Sequence, residues 1–201
     1  MPSSDALKGM DKGEKLEFIL DSAMKCLFRH GSGATTMDLI SEEAGVSKGT
    51  LTYYFKNKED IIIQLASHLA RKLYSEIRLS IQECSSPKER LIQAINQFWS
   101  NYREKPQLQI GYYDLWAQGF YNDRLKQEVV KIHRDFRSIF LEELMLDDPE
   151  GHTSGRHRYD AILITGVLEG AMMQWLLEPD LVDNWEEVRQ RLVEVVTIIM
   201  D

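Results

Sequence analysis

Between Gly45 and Lys58 the chain holds three lysines, Lys48, Lys56 and Lys58, and no aspartate or glutamate. Ser47, Thr50, Thr52, Tyr53 and Tyr54 stand among them, and all carry hydroxyls. These residue types suit a surface that meets DNA. Ammonium groups neutralise phosphates, hydroxyls donate to phosphate oxygens or base edges, and threonine methyls fit the thymine methyl. Gly49 lets its backbone come near a phosphate. The competing reading is a packed helical corner whose polar face is merely solvated.

A second group of residues lies beyond this window. Trp99, Tyr102, Tyr112, Tyr113, Trp116, Phe120, Phe136 and Trp175, joined by Met172 and Met173, recur at helical spacing. They either pack as core or line an apolar cavity that holds a small molecule. The candidate ligand-binding set is Trp99, Tyr102, Tyr112, Tyr113, Trp116, Phe120, Met172 and Trp175. Asp114 or Glu169, if turned inward, would favour a cationic ligand beside the ring faces. Gly166 and Gly170 fall four apart on one helix face, where small residues permit close helix approach. With Leu192, Val195, Val196 and Ile199 of the last helix they form a candidate two-fold interface.

Other chemistry is not supported. The five histidines do not cluster, and His152 and His157 are five apart, so no metal site is predicted. Gly31-Ser32-Gly33 lacks the context of a nucleophile elbow, and no nucleophile–base pair stands out. The expectation is a non-enzyme with no cofactor. Cys26 and Cys84 read as buried, reduced thiols.

Composition bounds these readings. The chain has 201 residues, 43% hydrophobic and 28% charged, an ordinary globular balance for one large domain or two small ones. Lysine and arginine total 24 against 32 acids, a net charge of −8 that opposes indiscriminate coating of nucleic acid. No uninterrupted run of 18 apolar residues occurs, so no membrane-spanning helix is predicted. Met1 to Gly13 is polar and lacks a signal-peptide core. The expected location is the cytoplasm.

Helical periodicity runs almost throughout, and the predicted fold class is all-α with about nine helices. The first helix spans about Lys12 to His30, with Leu16, Ile19, Leu20, Ala23, Leu27 and Phe28 on one face and Gly31 at its end. Thr35 reads as the N-cap of a short second helix, with Asp38 completing a capping box. Gly45 then supplies a tight turn, and Ser47 caps a third helix reaching about Phe55. A long helix runs from Lys58 to about Ile81. Ser85-Ser86-Pro87 starts the next, and Lys105-Pro106 ends it. Further helices cover about 108–121, 122–144, 156–177 and 183–200, with a surface loop from Asp147 to Gly155.

The stretch Ala34-Thr35-Thr36, Ile40, Glu43-Ala44-Gly45-Val46-Ser47-Lys48-Gly49-Thr50-Leu51, Tyr54-Phe55 and Asn57-Lys58-Glu59 resembles the N-terminal domain of TetR-family transcriptional regulators. Ile19 to Ala23, Leu27-Phe28 and Gly31 fit the same family's first helix. The resemblance implies a helix-turn-helix domain over 12–65 and a ligand-binding and dimerisation domain over 66–201. It also implies a homodimeric repressor, released from a palindromic double-stranded DNA operator by a small-molecule inducer. The family's DNA contacts fall on Thr36, Lys48, Gly49, Thr50, Tyr53, Tyr54 and Lys58, and Ser47 and Thr52 complete the candidate DNA-binding set. The family usually has Tyr where this chain has Thr52. Asp114-Leu115-Trp116-Ala117-Gln118 with Leu125 resembles the ligand domain of choline-responsive members. The rival function is a helical small-molecule-binding protein or enzyme that retains a helix-turn-helix corner.

Overall fold

Side-chain caps set where the helices begin. Asp11 and Glu14 exchange two bonds, with Glu14 N donating to Asp11 Oδ1 at 2.9 Å and Asp11 N donating to Glu14 Oε2 at 2.8 Å. The result is a capping box at the start of α1 (Lys12–Ala34). Ser86 and Glu89 repeat the motif before α5 (Pro87–Glu104), where Pro87 occupies the first turn. Each such cap contributes about 1 kcal/mol.

The computed structural model describes residues 7–148, 150, 151 and 154–200. Among them the elements are α1, α2 (Met37–Glu43), α3 (Lys48–Tyr54), α4 (Lys58–Ser80), α5 (Pro87–Glu104), α6 (Pro106–Gly119), α7 (Asp123–Asp147), α8 (Ser154–Leu177) and α9 (Trp185–Met200). No strand occurs among the described residues.

The chain divides into two compact units. The first comprises the residues up to Arg71 together with Gln107–Lys131; the second comprises Lys72–Pro106 and the residues from Ile132 on. Both α4 and α7 run from one unit into the other, and the boundary expected at 65/66 falls inside α4. In the first unit the core is built by Ile19, Leu20, Ala23 and Leu27 of α1, Ile40, Leu51, and Ile61, Leu65 and Leu69 of α4. Tyr112, Leu115, Leu125 and Val129 complete it from the later stretch.

The second unit buries an aromatic stack. Phe136 lies parallel to Tyr74 at 4.8 Å and to Phe98 at 5.1 Å, and Phe140 meets it edge-on. Each fully buried side chain of this size contributes about 1.5–3 kcal/mol. Arg90 donates to the buried Glu143 at 2.5 Å, and Asn101 donates to the Leu73 carbonyl at 3.0 Å.

Two local expectations are corrected. Thr35 is not the N-cap of α2, because its hydroxyl turns back to donate to Gly31 O at 2.7 Å. Thr36 takes that place and accepts from Leu39 N at 3.2 Å. Cys26 is buried, and burial raises its thiol pKa, but Cys84 is only half-buried in the turn after α4. Separately, Gly155–Leu177 reaches the length and mean composition of a membrane-crossing helix, with charged and polar residues interrupting its apolar run. One side of this helix is buried through Ala161, Ile164, Leu168 and Met172; the other exposes Tyr159, Ile162, Leu163 and Val167.

Candidate DNA-binding interface

Gly45, with φ at 63°, makes the turn between α2 and α3. Ala44 and Val46 are buried against Leu7, with Met10 and Phe18 packed on them, and this wedge sets the angle of the corner. Leu51 is fully buried and anchors α3 from within. Ser47 caps the helix by accepting from Thr50 N at 3.0 Å. The polar side of α3 is therefore held in place by apolar contacts on its other side.

The residues expected to meet DNA lie mainly on this outer side. Thr36, Ser47, Lys48, Gly49, Thr52 and Tyr53 are exposed, whereas Thr50, Tyr54 and Lys58 are half-buried. Tyr53 is 72% exposed, so its ring and hydroxyl are accessible from outside. Tyr54 packs edge-on against it at 5.1 Å. The Thr50 and Ser47 hydroxyls share a hydrogen bond at 2.9 Å, and Thr52 donates to Gly49 O at 3.1 Å. These bonds fix the rotamers from which hydroxyls and methyls would approach base edges.

Three further residues, all outside the window from Gly45 to Lys58, shape the surface. Asp38 forms an ion pair with Lys48. Lys12 places its ammonium 5.9 Å above the Tyr53 ring. Arg29 donates to Glu43 at 2.5 Å, tying α1 to α2. By sequence, Asp38 marks only a capping partner and Lys12 only the start of a helix. Lys58 donates to Gly33 O at 3.0 Å, so it fastens the α1–α2 turn in the free protein.

The candidate ligand-binding residues divide four and four between the units. In the first unit Tyr112 is buried, Tyr113 and Trp116 are half-buried and Phe120 is 65% exposed. Trp116 and Phe120 meet edge-on at 5.3 Å. In the second, Trp99, Tyr102 and Met172 are buried and Trp175 is half-buried. A groove of about 230 Å³ in the first unit is lined by Leu27, Phe28, Gly31, Gln107, Ile110, Gly111 and Asp114, none of them from this set. In the second unit Trp99 borders a polar groove of about 500 Å³ with Asn96, Arg103, Glu186 and Arg189.

The two candidate cation selectors have other partners. Asp114 accepts from Ser32 N at 2.7 Å. Glu169 lies 3.4 Å from His133 Nδ1, and burial pushes its carboxyl pKa up to about 7 against the opposing pull of Arg137. Among the described residues no three His, Cys, Asp or Glu side chains converge on a metal position.

On the second unit's α8 and α9, Gly166 and Val195 are exposed and Gly170 is half-buried. A Cβ at Gly166 or Gly170 would meet nothing within 4 Å. Leu192 and Val196 do not share that free face. They are buried, because their positions on α9 point into the unit's own core, and Val195 and Ile198 are the outward residues. The side chain of Ile199 lies outside the described residues.

Residues 19–65 match the family described as bacterial regulatory proteins, tetR family. The fatty acid metabolism regulator protein of Bacillus subtilis is 33% identical over 89 residues, which is 44% of this chain and 46% of that protein. The chain thus matches about half the length of that relative. Among solved structures, a putative transcriptional regulator from Pseudomonas aeruginosa PAO1 superposes with a TM-score of 0.81 at 17% identity, covering 96% of this chain and 91% of that one. FadR from Bacillus subtilis, solved in complex with stearoyl-CoA, superposes with a TM-score of 0.69 at 23% identity, covering 89% and 96%. At these identities the structures establish the shared fold.

Proposed function

We propose, from the match of residues 19–65 to that family, that the chain is a TetR-type homodimeric repressor that grips a palindromic operator and lets go when a small molecule binds. The observation that carries this reading is α3. Its inner side is locked by Leu51, and its outer side offers Lys48, Thr50, Thr52 and Tyr53 without an acid of its own. Phosphate contacts set register, and the threonines and tyrosine read base edges in the major groove. The net charge of −8 repels DNA from the rest of the molecule and so favours discrimination over coating.

Dimerisation supplies the second reading head. Tyr159, Ile162, Leu163 and Val167 of α8 and Val195 and Ile198 of α9 form an exposed apolar face. Open space at Gly166 and Gly170 allows a second copy's helix to come close. A two-fold pair would present its α3 helices to half-sites one DNA turn apart, about 34–36 Å. Such a protein works in the cytoplasm, where its operator lies.

The effector is a small molecule with a long apolar portion, and some of the eight aromatic and methionine residues contact that portion. A long-chain acyl-CoA is the first candidate, supported by the fatty acid regulator among the relatives and the stearoyl-CoA complex among the neighbours. Release requires that the effector favour a conformation that mismatches the operator. The test is selection of bound fragments from random duplex DNA, repeated with stearoyl-CoA. Enrichment of one palindrome, lost on adding the acyl-CoA, is the expected result. Recovery of unrelated sequences would overturn specific recognition, and a palindrome indifferent to stearoyl-CoA would overturn the effector assignment.

A further inference from the structure

The turn between α1 and α2 is built on a weak point. Gly31 leaves the helix with φ 71° and ψ 165°, and one more turn of helix follows before Thr36 caps α2. A glycine in this region of φ/ψ space offers little resistance to rotation. The direction in which α2 departs, and with it the placement of Thr36 and α3, therefore depends on what holds residues 31–35.

Two elements distant in sequence hold them. From α4, Lys58 donates to Gly33 O at 3.0 Å. From α6, Asp114 accepts from the Ser32 backbone N–H at 2.7 Å, and Gln118 donates to the Ser32 hydroxyl. Ser32 is only 4% exposed, so its N–H has little water to turn to if Asp114 is lost. Gln118 Nε2 also lies 3.3 Å from Asp114 Oδ1 and steadies the carboxylate. Gly111, one helical turn before Asp114, has no side chain to keep α6 away from Phe28.

We infer that Asp114, steadied by Gln118, is a positioning residue for operator recognition: it fixes the 31–35 turn, and through it the placement of Thr36 and α3. The inference rests on the DNA-binding reading above. In that reading Lys58 turns toward a phosphate, which weakens its hold on Gly33. The α6 bonds are then what keeps the turn in register. Phosphate contacts tolerate small shifts of the reading head, but hydrogen bonds to base edges do not. Losing Asp114 should therefore reduce discrimination between sequences rather than DNA binding as such.

The experiment uses the full chain, a duplex selected by the wild-type protein and a scrambled duplex of equal length, with affinities read by fluorescence anisotropy. Asp114→Ala should lower the ratio of the two affinities about tenfold, the equivalent of one well-aligned base contact. Binding to the scrambled duplex and its salt slope should stay unchanged. Asp114→Asn, whose amide oxygen still accepts from Ser32 N, should keep the ratio within about threefold. A purely structural role would shrink the folded fraction, weaken both duplexes equally and leave the ratio intact. An intact ratio in folded Asp114→Ala therefore overturns the inference. Should that variant not fold, Gln118→Ala decides, with a reduced ratio in support and an unchanged one against. Failure of the wild-type chain to bind any duplex would remove the proposed function and this inference together.

Discussion

Glycine-to-alanine substitution should have opposite signs at two places in the first unit. At Gly111 a Cβ would stand 2.6 Å from Phe28 Cε1, 3.1 Å from Phe28 Cδ1 and 3.2 Å from Leu27 Cδ2. Carbon–carbon contacts are most favourable near 3.5–4.0 Å, so the Phe28 ring must retreat by about 1 Å. Leu27, at 2% exposure, has no room to follow. Phe28 borders the groove of about 230 Å³ and can swing into it, which holds the cost down. Overpacking of this kind costs about 1–3 kcal/mol, and alanine in a helix returns about 0.5–1 kcal/mol. The net loss centres on about 1 kcal/mol and reaches at most about 2.5 kcal/mol, with Tm falling by about 2–4 °C per kcal/mol for a chain of this size. At Gly33 a Cβ would meet nothing within 4 Å, and the residue is exposed and helical. Gly33→Ala should therefore stabilise by about 0.4–1 kcal/mol through the unfolded state. Thermal and urea unfolding followed by circular dichroism separate the two, with the urea slope expected to stay constant. A Gly111→Ala chain as stable as wild type, or a Gly33→Ala chain equally destabilised, would refute the packing argument.

Lys48→Ala and Lys58→Ala should each flatten the dependence of log affinity on log salt by about 0.9, one phosphate contact apiece, and identical slopes in both variants and wild type would remove their assigned role. The wild-type chain should sediment as a dimer at micromolar concentration, and Val195→Asp or Gly166→Leu should yield monomers with much weaker operator binding; a monomeric wild type refutes the α8–α9 interface. Glu169 keeps its proton in the folded chain up to about pH 7, against 4.5 when unfolded, because burial penalises the charge. Its contribution is therefore full below about pH 4.5 and is lost as pH rises to about 7, by up to about 3 kcal/mol. Urea unfolding of Glu169→Gln across this window should lack that decline relative to wild type, and parallel profiles would show that the carboxyl titrates normally.

The corner from Thr36 to Phe55 was legible because every signal in it is local. A capping hydroxyl, a glycine that tolerates positive φ and a buried leucine all act within a few residues of one another. The identity of the cap at Thr36 rather than Thr35 was not legible. Both threonines can cap, and only the accepting carbonyl of Gly31, exposed by the kink, draws Thr35 away. The bonds that Asp114 and Gln118 make to Ser32 were beyond sequence reasoning, since that partner lies 82 and 86 positions away. Two apolar residues of α9 were misassigned for a related reason. Apolar type alone does not say whether Leu192 and Val196 face a neighbour or their own core, whereas the phase of the helix does.

The first unit is assembled from two stretches separated by 35 residues of chain that belong to the second. Its later stretch is fastened closely. Asn122 donates to Glu59 at 2.8 Å, Arg124 pairs with Glu59 and Asp60 at 3.0 Å, and Ser67 is bonded to Glu128. Anyone seeking to transplant the proposed DNA-reading head into another protein of this fold would face a topological constraint. A gene spliced after Arg71 would carry α1 to α3 but leave Tyr112, Leu115, Leu125 and Val129 behind, uncovering the apolar surface they shield. A working hybrid must inherit residues 107–131 along with the motif, so recombination between paralogues should favour crossovers that keep both segments from one parent.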